Sequence, residues 1–339
     1  MTEPAEVAAL ESLGVMSLGI LDPVRLASLA ESLGYRSVWV PETTGYEAFA
    51  TLAAAGAVTS HLDLCSGVIP IQLRTPVLLA MGGATLQSFH PDRDVVLGVG
   101  ISSPVVTERW HGVPYGSSPL ARMREYLTLV RECLSGESVT FKGDFYEVSR
   151  FRLGVRLGER RPRLVIGALN EGMLRLAGEV ADGVLLNYLP ASRVAWSVEQ
   201  VRAGEARGGR PPGSCTVYAY VHVGVCDRAD GIDYARRDLF SYAVVDSYAR
   251  SFELAGFAEE VAEIRARHEA KDREGALAAV TDRFIDAIDI MGDEAGVRDA
   301  VRSYVRAGVD VPVIMPLPWG PDRWAVIEAT LEACAARSG

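Results

Sequence analysis

The sequence lacks the features that mark secreted, membrane-spanning and disulfide-stabilised proteins. Residues 1–14, MTEPAEVAALESLG, contain no basic segment followed by an apolar run, so we expect no signal peptide. No stretch is apolar for long enough to span a bilayer. The five cysteines are scattered and form no CxxC pair, which is typical of a reduced, cytoplasmic protein.

The sequence also has fewer basic than acidic residues. Lys and Arg total 34 against 44 Asp and Glu, which gives a formal net charge of -10. A surface with this excess of negative charge repels phosphate backbones and anionic lipids. We therefore expect neither nucleic acid nor a membrane among the partners, and we expect a small-molecule substrate.

Motifs for metal ions and dinucleotides are missing too. His61, His90, His222 and His268 show no ligand spacing with Cys, Asp or Glu, so we predict no metal site. The segment GVGIS (98–102) lacks the full GxGxxG pattern and its downstream acid, which disfavours a dinucleotide-binding fold.

Short apolar strands alternate with amphipathic helices along the chain. Pro23 predicts the start of one helix and Gly34 its end, and Thr75-Pro76 predicts the start of another. Uninterrupted apolar strands with helices between them are typical of a parallel sheet covered by helices. The predicted strands are 14–20, 36–40, 62–68, 94–100, 163–167, 183–187, 216–225 and 311–316. A count of about eight β/α units favours an α/β fold of the closed (β/α)8 TIM-barrel type over an open sheet.

Two stretches interrupt this alternation. Residues 101–162 contain a long loop, a helix and a hairpin at 139–148, whereas residues 229–290 are charged and helical without a strand. We interpret both as insertions in βα loops of a single domain spanning 1–339. Such loops lie at the catalytic end of a barrel. This position favours a role in the pocket for 101–118, and it leaves pocket and rim packing equally open for 229–290.

Five segments, in order, resemble the luciferase-like superfamily and, more narrowly, its branch that depends on the deazaflavin coenzyme F-420. They are SVWVPETTG (37–45), SGVIPIQLRTP (66–76), VLGVGISSP (96–104), WHGVPYGSSPLARMREYL (110–127) and IGALNEGMLRLAGEVADGVLLN (166–187). The resemblance covers nearly the whole chain and implies a luciferase-like TIM barrel, F-420 as cofactor and a homodimer. FMN shares the ring frame and the first phosphate of F-420, so FMN stays open as the alternative cofactor.

One of these segments resembles the loop that holds the cofactor phosphate. It comprises Gly167, Ala168, Leu169 and Asn170, which follow a predicted strand and precede a helix. Backbone N–H groups at the N-terminus of a helix bind anions, and glycine permits close approach of a phosphate. Glu171 begins the helix and would repel a phosphate, so we expect its side chain to face away. A plain βα turn is the alternative interpretation of the tetrapeptide.

The resemblance also implies residues that contact the cofactor ring. Ser66, Gly67 and Val68 correspond to a bulge that supports the ring and often contains a non-prolyl cis peptide, here the Gly67-Val68 bond. Ser102 and Ser103 end the fourth strand and are predicted to donate hydrogen bonds to the ring. Serines in such positions also cap the following turn, and the two roles are compatible.

Glu42 is the predicted catalytic residue. It stands at the end of the second strand, where catalytic residues of barrels cluster. Relatives have an acid here, often followed by histidine, and some have another acid where this chain has Ser103. This chain has Thr43 after Glu42, so two proton donors of the related sugar dehydrogenase are missing. Glu42 either transfers the proton that accompanies the reaction or makes a structural hydrogen bond. The sequence does not distinguish these two roles.

Four further residues are predicted to line the substrate site. Glu108, Trp110 and His111 lie in the loop after the fourth strand, and Thr43 follows Glu42. An exposed loop with no role in substrate binding would account for Glu108, Trp110 and His111 nearly as well.

The resemblance implies hydride transfer between F-420 and a C=C, C=N or C=O bond of a small organic substrate. An FMN-dependent monooxygenase that uses dioxygen is the first alternative. A non-catalytic flavin-binding protein is the second, because of the missing histidine and acid at positions 43 and 103.

Overall fold

Eleven strands are present in the computed structural model, which describes residues 3–17 and 22–335. They are β1 Gly14–Met16, β2 Ser37–Val40, β3 Asp63–Pro70, β4 Val95–Gly100, β5 Val139–Lys142, β6 Glu147–Phe151, β7 Arg163–Gly167, β8 Gly183–Leu186, β9 Thr216–Val225, β10 Ile290–Gly292 and β11 Val311–Pro316. Eight of them form a parallel ring in the order β9-β11-β1-β2-β3-β4-β7-β8, and β8 pairs back with β9. The predicted closed barrel is confirmed.

The predicted strands match the observed barrel strands, with ends that differ by at most two residues, for every strand after the first. The first was predicted at 14–20. Strand β1 accounts for Gly14–Met16, and residues 18–20 lie outside the described residues.

Two helices begin where they were predicted to begin, at Pro23 and Pro76, and the described helices lie around the ring or on its carboxyl end. They are α1 Glu3–Leu10, α2 Pro23–Ser32, α3 Ala48–Val58, α4 Pro76–Phe89, α5 Pro119–Leu134, α6 Glu171–Val180, α7 Ala191–Arg207, α8 Arg228–Ala243, α9 Asp246–Phe252, α10 Ala258–Glu269, α11 Arg273–Ala278, α12 Asp282–Ile288, α13 Glu294–Ala307 and α14 Arg323–Cys334. Thr75 caps α4 by accepting from the backbone N–H of Leu78 over 3.2 Å, and Pro76 begins the helix. None of the helices described for residues 3–17 and 22–335 is both long and apolar enough to cross a membrane.

The barrel packs on both of its faces. Its interior is filled by one buried cluster of side chains from seven strands, namely Trp39, Cys65, Val96, Val165, Leu185, Tyr218, Tyr220 and Val313. The larger core lies between the strands and the surrounding helices. Because the interior is filled, a ligand has room only at the strand ends.

The first predicted insertion needs correction. Helix α5 packs against α4 and α6 as a member of the outer layer, so the βα loop itself covers only residues 101–118. The hairpin β5–β6 follows α5 and packs against that helix. Its turn is held by Glu125, whose carboxylate accepts from the N–H groups of Asp144, Phe145 and Tyr146. A hairpin with these contacts is part of an αβ connection and adds nothing to the cavity described below.

The second insertion is helical, as predicted, and it lies between β9 and α13. Its helices α8–α12 form a hydrophobic core of their own, to which the barrel end contributes Tyr188. Strand β10 then pairs with the carboxyl end of β9, from Val223 to Val225. This segment therefore stands on the carboxyl end of the barrel, where it reaches the cavity through Ser247 and Tyr248.

Candidate active site

A cavity of about 360 Å³ opens at the carboxyl ends of β3, β4, β7, β8 and β9. Its walls come from the strand ends, from the 101–118 loop and from the second insertion. The predicted pocket role of 101–118 therefore agrees with the position of Ile101, Ser102 and Tyr115 in the wall. Helix α5 adds Leu120, so much of this side is apolar.

The bulge at the end of β3 forms one wall. The Gly67-Val68 peptide is cis, as expected, and both residues line the cavity. Tyr220 Oη donates to the carbonyl oxygen of Gly67 over 2.5 Å, and a β-carbon at position 67 would overlap that hydroxyl. Ser66 lies apart from the cavity, because it is fully buried and donates to the carbonyl oxygen of Gly98 over 3.0 Å.

The loop after β7 forms an adjoining wall. Gly167, Ala168, Leu169 and Asn170 all line the cavity, followed by Gly172 in the first turn of α6. The Ala168 N–H donates a hydrogen bond to the carbonyl oxygen of Leu185. In the described part of the chain, the N–H groups from Leu169 to Gly172 have no hydrogen-bond partner. Free N–H groups at the N-terminus of a helix are the donors with which anions are bound in proteins.

The charge of Glu171 is directed away from these free N–H groups. Its carboxylate pairs with Arg175 over 2.8 Å on the exposed face of α6, and Glu171 contributes nothing to the cavity wall. The expected orientation is confirmed, so the free N–H groups face the cavity without a fixed negative charge beside them.

Asn170 joins the β7 loop to the second insertion. Its Nδ2 donates to the carbonyl oxygen of Ser247 over 3.4 Å, whereas its Oδ1 is buried without a partner among residues 3–17 and 22–335. An unpaired buried acceptor is costly unless a ligand supplies a donor. Asn170 and Asn187 are the two asparagines of the whole sequence, and both line this cavity.

The two serines after β4 are separated by the structure. Ser102 lines the cavity, and its hydroxyl makes no hydrogen bond within the described ranges. Ser103 turns away from the cavity, because its Oγ accepts from the N–H of Val106 at 3.4 Å and its carbonyl accepts from Thr107. Ser103 thus caps a π-helical turn at Val105–Trp110.

Glu42 lies beside the bulge without lining the cavity. Its backbone N–H donates to the carbonyl oxygen of Val68 over 3.3 Å. Its carboxylate accepts from Arg74 over 3.2 and 3.0 Å and from the N–H of Ala48 at the start of α3. Burial alone would lower the pKa of Arg74, but the carboxylates of Glu42 and Glu47 raise it above its ordinary value. The geometry favours the structural role of Glu42, and the catalytic role stays a prediction.

The four predicted substrate residues lie at the rim, outside the cavity wall. His111 Nε2 donates to the carbonyl oxygen of Thr43 over 2.7 Å, which ties the 101–118 loop to the end of β2. Glu108 accepts from the N–H of Tyr115 over 3.2 Å and so holds a residue that does line the cavity. Trp110 is exposed. Thr43 lines a separate cavity beside β2.

A buried polar group behind the cavity was missed from the sequence. His222 Nε2 lies 2.8 Å from Oδ1 of Asn187, and His222 Nδ1 lies 2.9 Å from Asp289. Asp238 accepts from Tyr188 Oη nearby over 2.9 Å. The ligand-type atoms of His222, Asp238 and Asp289 all lie within 4.8 Å of one another. Distances of 35 and 67 residues along the chain hide this group from spacing rules, although an ionisable residue inside the apolar strand TVYAYVHVGV was the available signal.

Burial controls the charge of this group. It lowers the pKa of His222 to about 4, against the opposing effect of Asp238. It raises the pKa of Asp289, and burial together with Asp289 raises the pKa of Asp238 to about 7. Burial therefore favours the uncharged forms of both His222 and Asp289.

Comparison with known proteins identifies similar chains over nearly the full length. The model of a family described as luciferase-like monooxygenase matches residues 12–311. The 5,10-methylenetetrahydromethanopterin reductase of Archaeoglobus fulgidus is 28% identical over 303 residues, covering 87% of this chain and 89% of that protein. A Mycobacterium tuberculosis protein whose name describes a coenzyme F-420-dependent oxidoreductase is 28% identical over 310 residues, with 85% and 89% covered. The structure of the F-420-dependent tetrahydromethanopterin reductase of Methanopyrus kandleri superposes with a TM-score of 0.80 at 24% identity, covering 96% of this chain and 97% of that one.

Proposed function

The chain belongs to the luciferase-like monooxygenase family, and we propose that it is an oxidoreductase that binds coenzyme F-420 in the cavity described above. Its reaction would be hydride transfer between F-420 and a C=C, C=N or C=O bond of a small organic substrate. Two relatives at 28% identity support this choice, because one is named a reductase of a methanopterin substrate and the other is named for F-420.

The observation that carries the proposal is the set of free N–H groups from Leu169 to Gly172 at the start of α6. These donors meet the requirement of a phosphate, and the acidic side chain of Glu171 points elsewhere. The buried Oδ1 of Asn170 offers an acceptor beside them for a hydroxyl group of the ligand. The residues present thus fit a molecule with a phosphate and a polyol linker.

The rest of the cavity suits a flat ring. Gly67 and Val68 form the wall against which a ring would rest, and Tyr220 holds the Gly67 carbonyl in position. Ile101, Leu120 and Met173 line the space with apolar groups that exclude water. Bound F-420 supplies or accepts the hydride, and the protein supplies position and surroundings.

Hydroxyl groups at the cavity wall are available to hold a substrate or a proton. The Ser102 hydroxyl faces the cavity with no other partner in the described ranges. Glu42 was predicted to move the proton, but its carboxylate is occupied by Arg74 and the N-terminus of α3. Proton transfer by a water molecule in the cavity is compatible with this arrangement.

Separate titrations with F-420 and with FMN, followed by absorbance and fluorescence, test the proposal. We expect F-420 to bind with micromolar or better affinity and FMN to bind more weakly. Tight FMN binding without an F-420 response would overturn the cofactor assignment and favour the monooxygenase alternative, in keeping with the family description. Catalytic turnover of any substrate would exclude a non-catalytic flavin-binding protein.

A further inference from the structure

Three buried side chains form a row that ends in the wall of the cavity. Asp289 follows α12, His222 lies in β9 and Asn187 follows β8. Asp289 and His222 are fully or almost fully buried, whereas Asn187 is partly exposed to the cavity. The hydrogen bonds in this row determine which atom Asn187 presents to a ligand.

The orientation of the Asn187 amide is determined by a backbone group. The N–H of Tyr188 donates to the side-chain oxygen of Asn187 over 2.9 Å, and a backbone N–H can only donate. The atom that receives this bond must therefore be Oδ1. The amide nitrogen Nδ2 is left without a hydrogen bond in the described part of the chain, and it is the free polar group that Asn187 offers to the cavity.

The same bond determines where His222 carries its proton. Asn187 Oδ1 cannot donate, so His222 Nε2, which is 2.8 Å away, must do so. His222 Nδ1 then accepts from Asp289 over 2.9 Å if the ring is neutral and the acid is protonated. Burial favours these uncharged forms, since it lowers the pKa of the imidazole and raises the pKa of the carboxyl. The row therefore holds a neutral donor against the cavity, without a buried charge behind it.

A neutral amide suits the polar edge of a ring better than a phosphate. The free N–H groups of the β7 loop already serve an anion, whereas Asn187 lies between that loop and Tyr220 of β9. Carbonyl oxygens and ring nitrogens of a deazaflavin are acceptors that need a single, well-oriented donor.

We propose that Asn187 is a cofactor-binding residue that donates from Nδ2 to a carbonyl oxygen or ring nitrogen of the deazaflavin, and that His222 and Asp289 are its positioning residues. This inference rests on the proposed binding of F-420. It adds a contact on β8 to those predicted on β3, β4 and β7.

The test is a titration of the purified protein and its variants with F-420. Asn187→Leu keeps the approximate volume and removes the donor, so we expect the Kd to rise about tenfold, which corresponds to about 1.4 kcal/mol. The absorption band of bound F-420 should also shift relative to the wild-type complex, because the ring loses a hydrogen bond. Asn187→Asp replaces the donor by an acceptor and should weaken binding further.

A double-mutant cycle separates positioning from general damage to the fold. His222→Leu should raise the Kd several-fold in the wild-type background and have no further effect in the Asn187→Leu background. Asp289→Asn can still donate to His222 Nδ1, so it should keep the Kd within twofold of the wild type. Asp286→Asn is the matched control, because Asp286 pairs with Arg228 at the surface of α12 and lies outside the row, so it should leave the Kd unchanged. If His222→Leu fails to fold, the two Asn187 variants still decide the outcome.

The outcomes distinguish this inference from the proposed function. A wild-type protein that binds neither F-420 nor FMN would overturn the proposed function and this inference with it. Wild-type binding with an unchanged Kd and spectrum in Asn187→Leu would overturn the inference alone. A stoichiometric divalent metal in the purified protein that is lost in His222→Leu would do the same, because His222 and Asp289 would then be ligands.

Discussion

Gly167 is the glycine of the β7 loop, and a side chain there would meet the residues at the end of β3. A β-carbon there would lie 3.1 Å from Cγ1 and 3.4 Å from Cγ2 of Val68, in the adjoining wall of the cavity. Gly167→Val would therefore narrow the space beside the free N–H groups of the loop. We expect the Kd for F-420 to rise at least tenfold, equivalent to about 1.4 kcal/mol, with the fold intact by circular dichroism.

Gly158→Val provides a matched control for that substitution. A β-carbon at Gly158 meets no other heavy atom within 4 Å, and the residue lies in the loop before β7, away from the cavity. It should leave the Kd unchanged. Equal affinities for both variants would mean that the phosphate binds somewhere other than the β7 loop.

Glu42 was predicted to be catalytic, but its carboxylate makes structural hydrogen bonds. Each of its oxygens accepts a hydrogen bond from Arg74, and one also caps α3 through Ala48. Glu42→Gln replaces one of these oxygens by an NH2 group, which cannot accept a hydrogen bond from Arg74. We therefore expect the free energy of unfolding to fall by about 1–3 kcal/mol. F-420 affinity should fall at least as much as turnover, as chemical denaturation, titration and steady-state kinetics would measure.

The opposite pattern would restore the catalytic role of Glu42. A large loss of kcat with unchanged stability and unchanged Kd would indicate that this carboxylate moves a proton.

Among the elements, the barrel strands were predictable because each is a short apolar run bounded by helix signals. RLVIG, TVYAYVHVGV and VPVIMP were predicted with their observed ends. The position of the β5–β6 hairpin was misjudged, because the sequence of α5 does not reveal that this helix belongs to the outer layer. Of the residues predicted to bind the cofactor, Gly67, Val68 and the β7 loop line the cavity. Ser66 and Ser103 bond to the backbone instead. Asn187, His222 and Asp289 meet only through the folding of β8, β9 and α12, which no local spacing encodes.

Helix α8 carries an acid that should make stability depend on pH. Asp238 faces His222, Asp289, Tyr188, Tyr242 and Tyr248, and its pKa is raised to about 7 from an ordinary value of 3.8. The folded protein therefore holds a proton that the unfolded chain releases between these values, so this contribution to stability is lost as pH rises from about 4 to 7.

Asp238→Asn removes that dependence. We expect its stability relative to wild type to increase with pH over this window, by up to about 1.4 kcal/mol per pH unit. The pKa of His222 is lowered to about 4, so His222 acts in the opposite direction below its ordinary value of 6.5. Because Asp238 raises the pKa of His222, Asp238→Asn lowers that pKa further, which destabilises the variant at low pH and acts in the same direction as the loss of the Asp238 proton. Denaturation at pH 5 and pH 8 is the measurement, and a constant difference would contradict the assignment of this proton to Asp238.

At the scale of the whole molecule, one exposed apolar face lies on α3 and α4. Leu78, Met81 and Phe89 recur on the same side of α4, with exposed fractions of 46%, 46% and 64%, and Val58 ends the adjacent α3. Exposed apolar patches of this kind mark association sites. We therefore expect a homodimer through this face, with a mass near twice 36.5 kDa by light scattering.

Leu78→Glu should shift this protein to the monomer, because two copies of the new charge would meet at a two-fold interface. Leu254→Glu is the matched control, since Leu254 is 45% exposed on the second insertion and is far from α4 in the chain. A monomeric wild type, or a dimer that persists in Leu78→Glu, would rule out this face.

The separate core of the α8–α12 segment divides the molecule into parts that can diverge at different rates. Nearly all of the buried residues in that core come from the segment itself, and its contacts with the cavity are confined to Ser247 and Tyr248. Substitutions within it can accumulate with little effect on the cavity as long as Ser247, which bonds to Asn170, and Asp289, which bonds to His222, are kept. One continuous stretch of sequence can thus change one side of the cavity, while the residues of the β7 loop are retained.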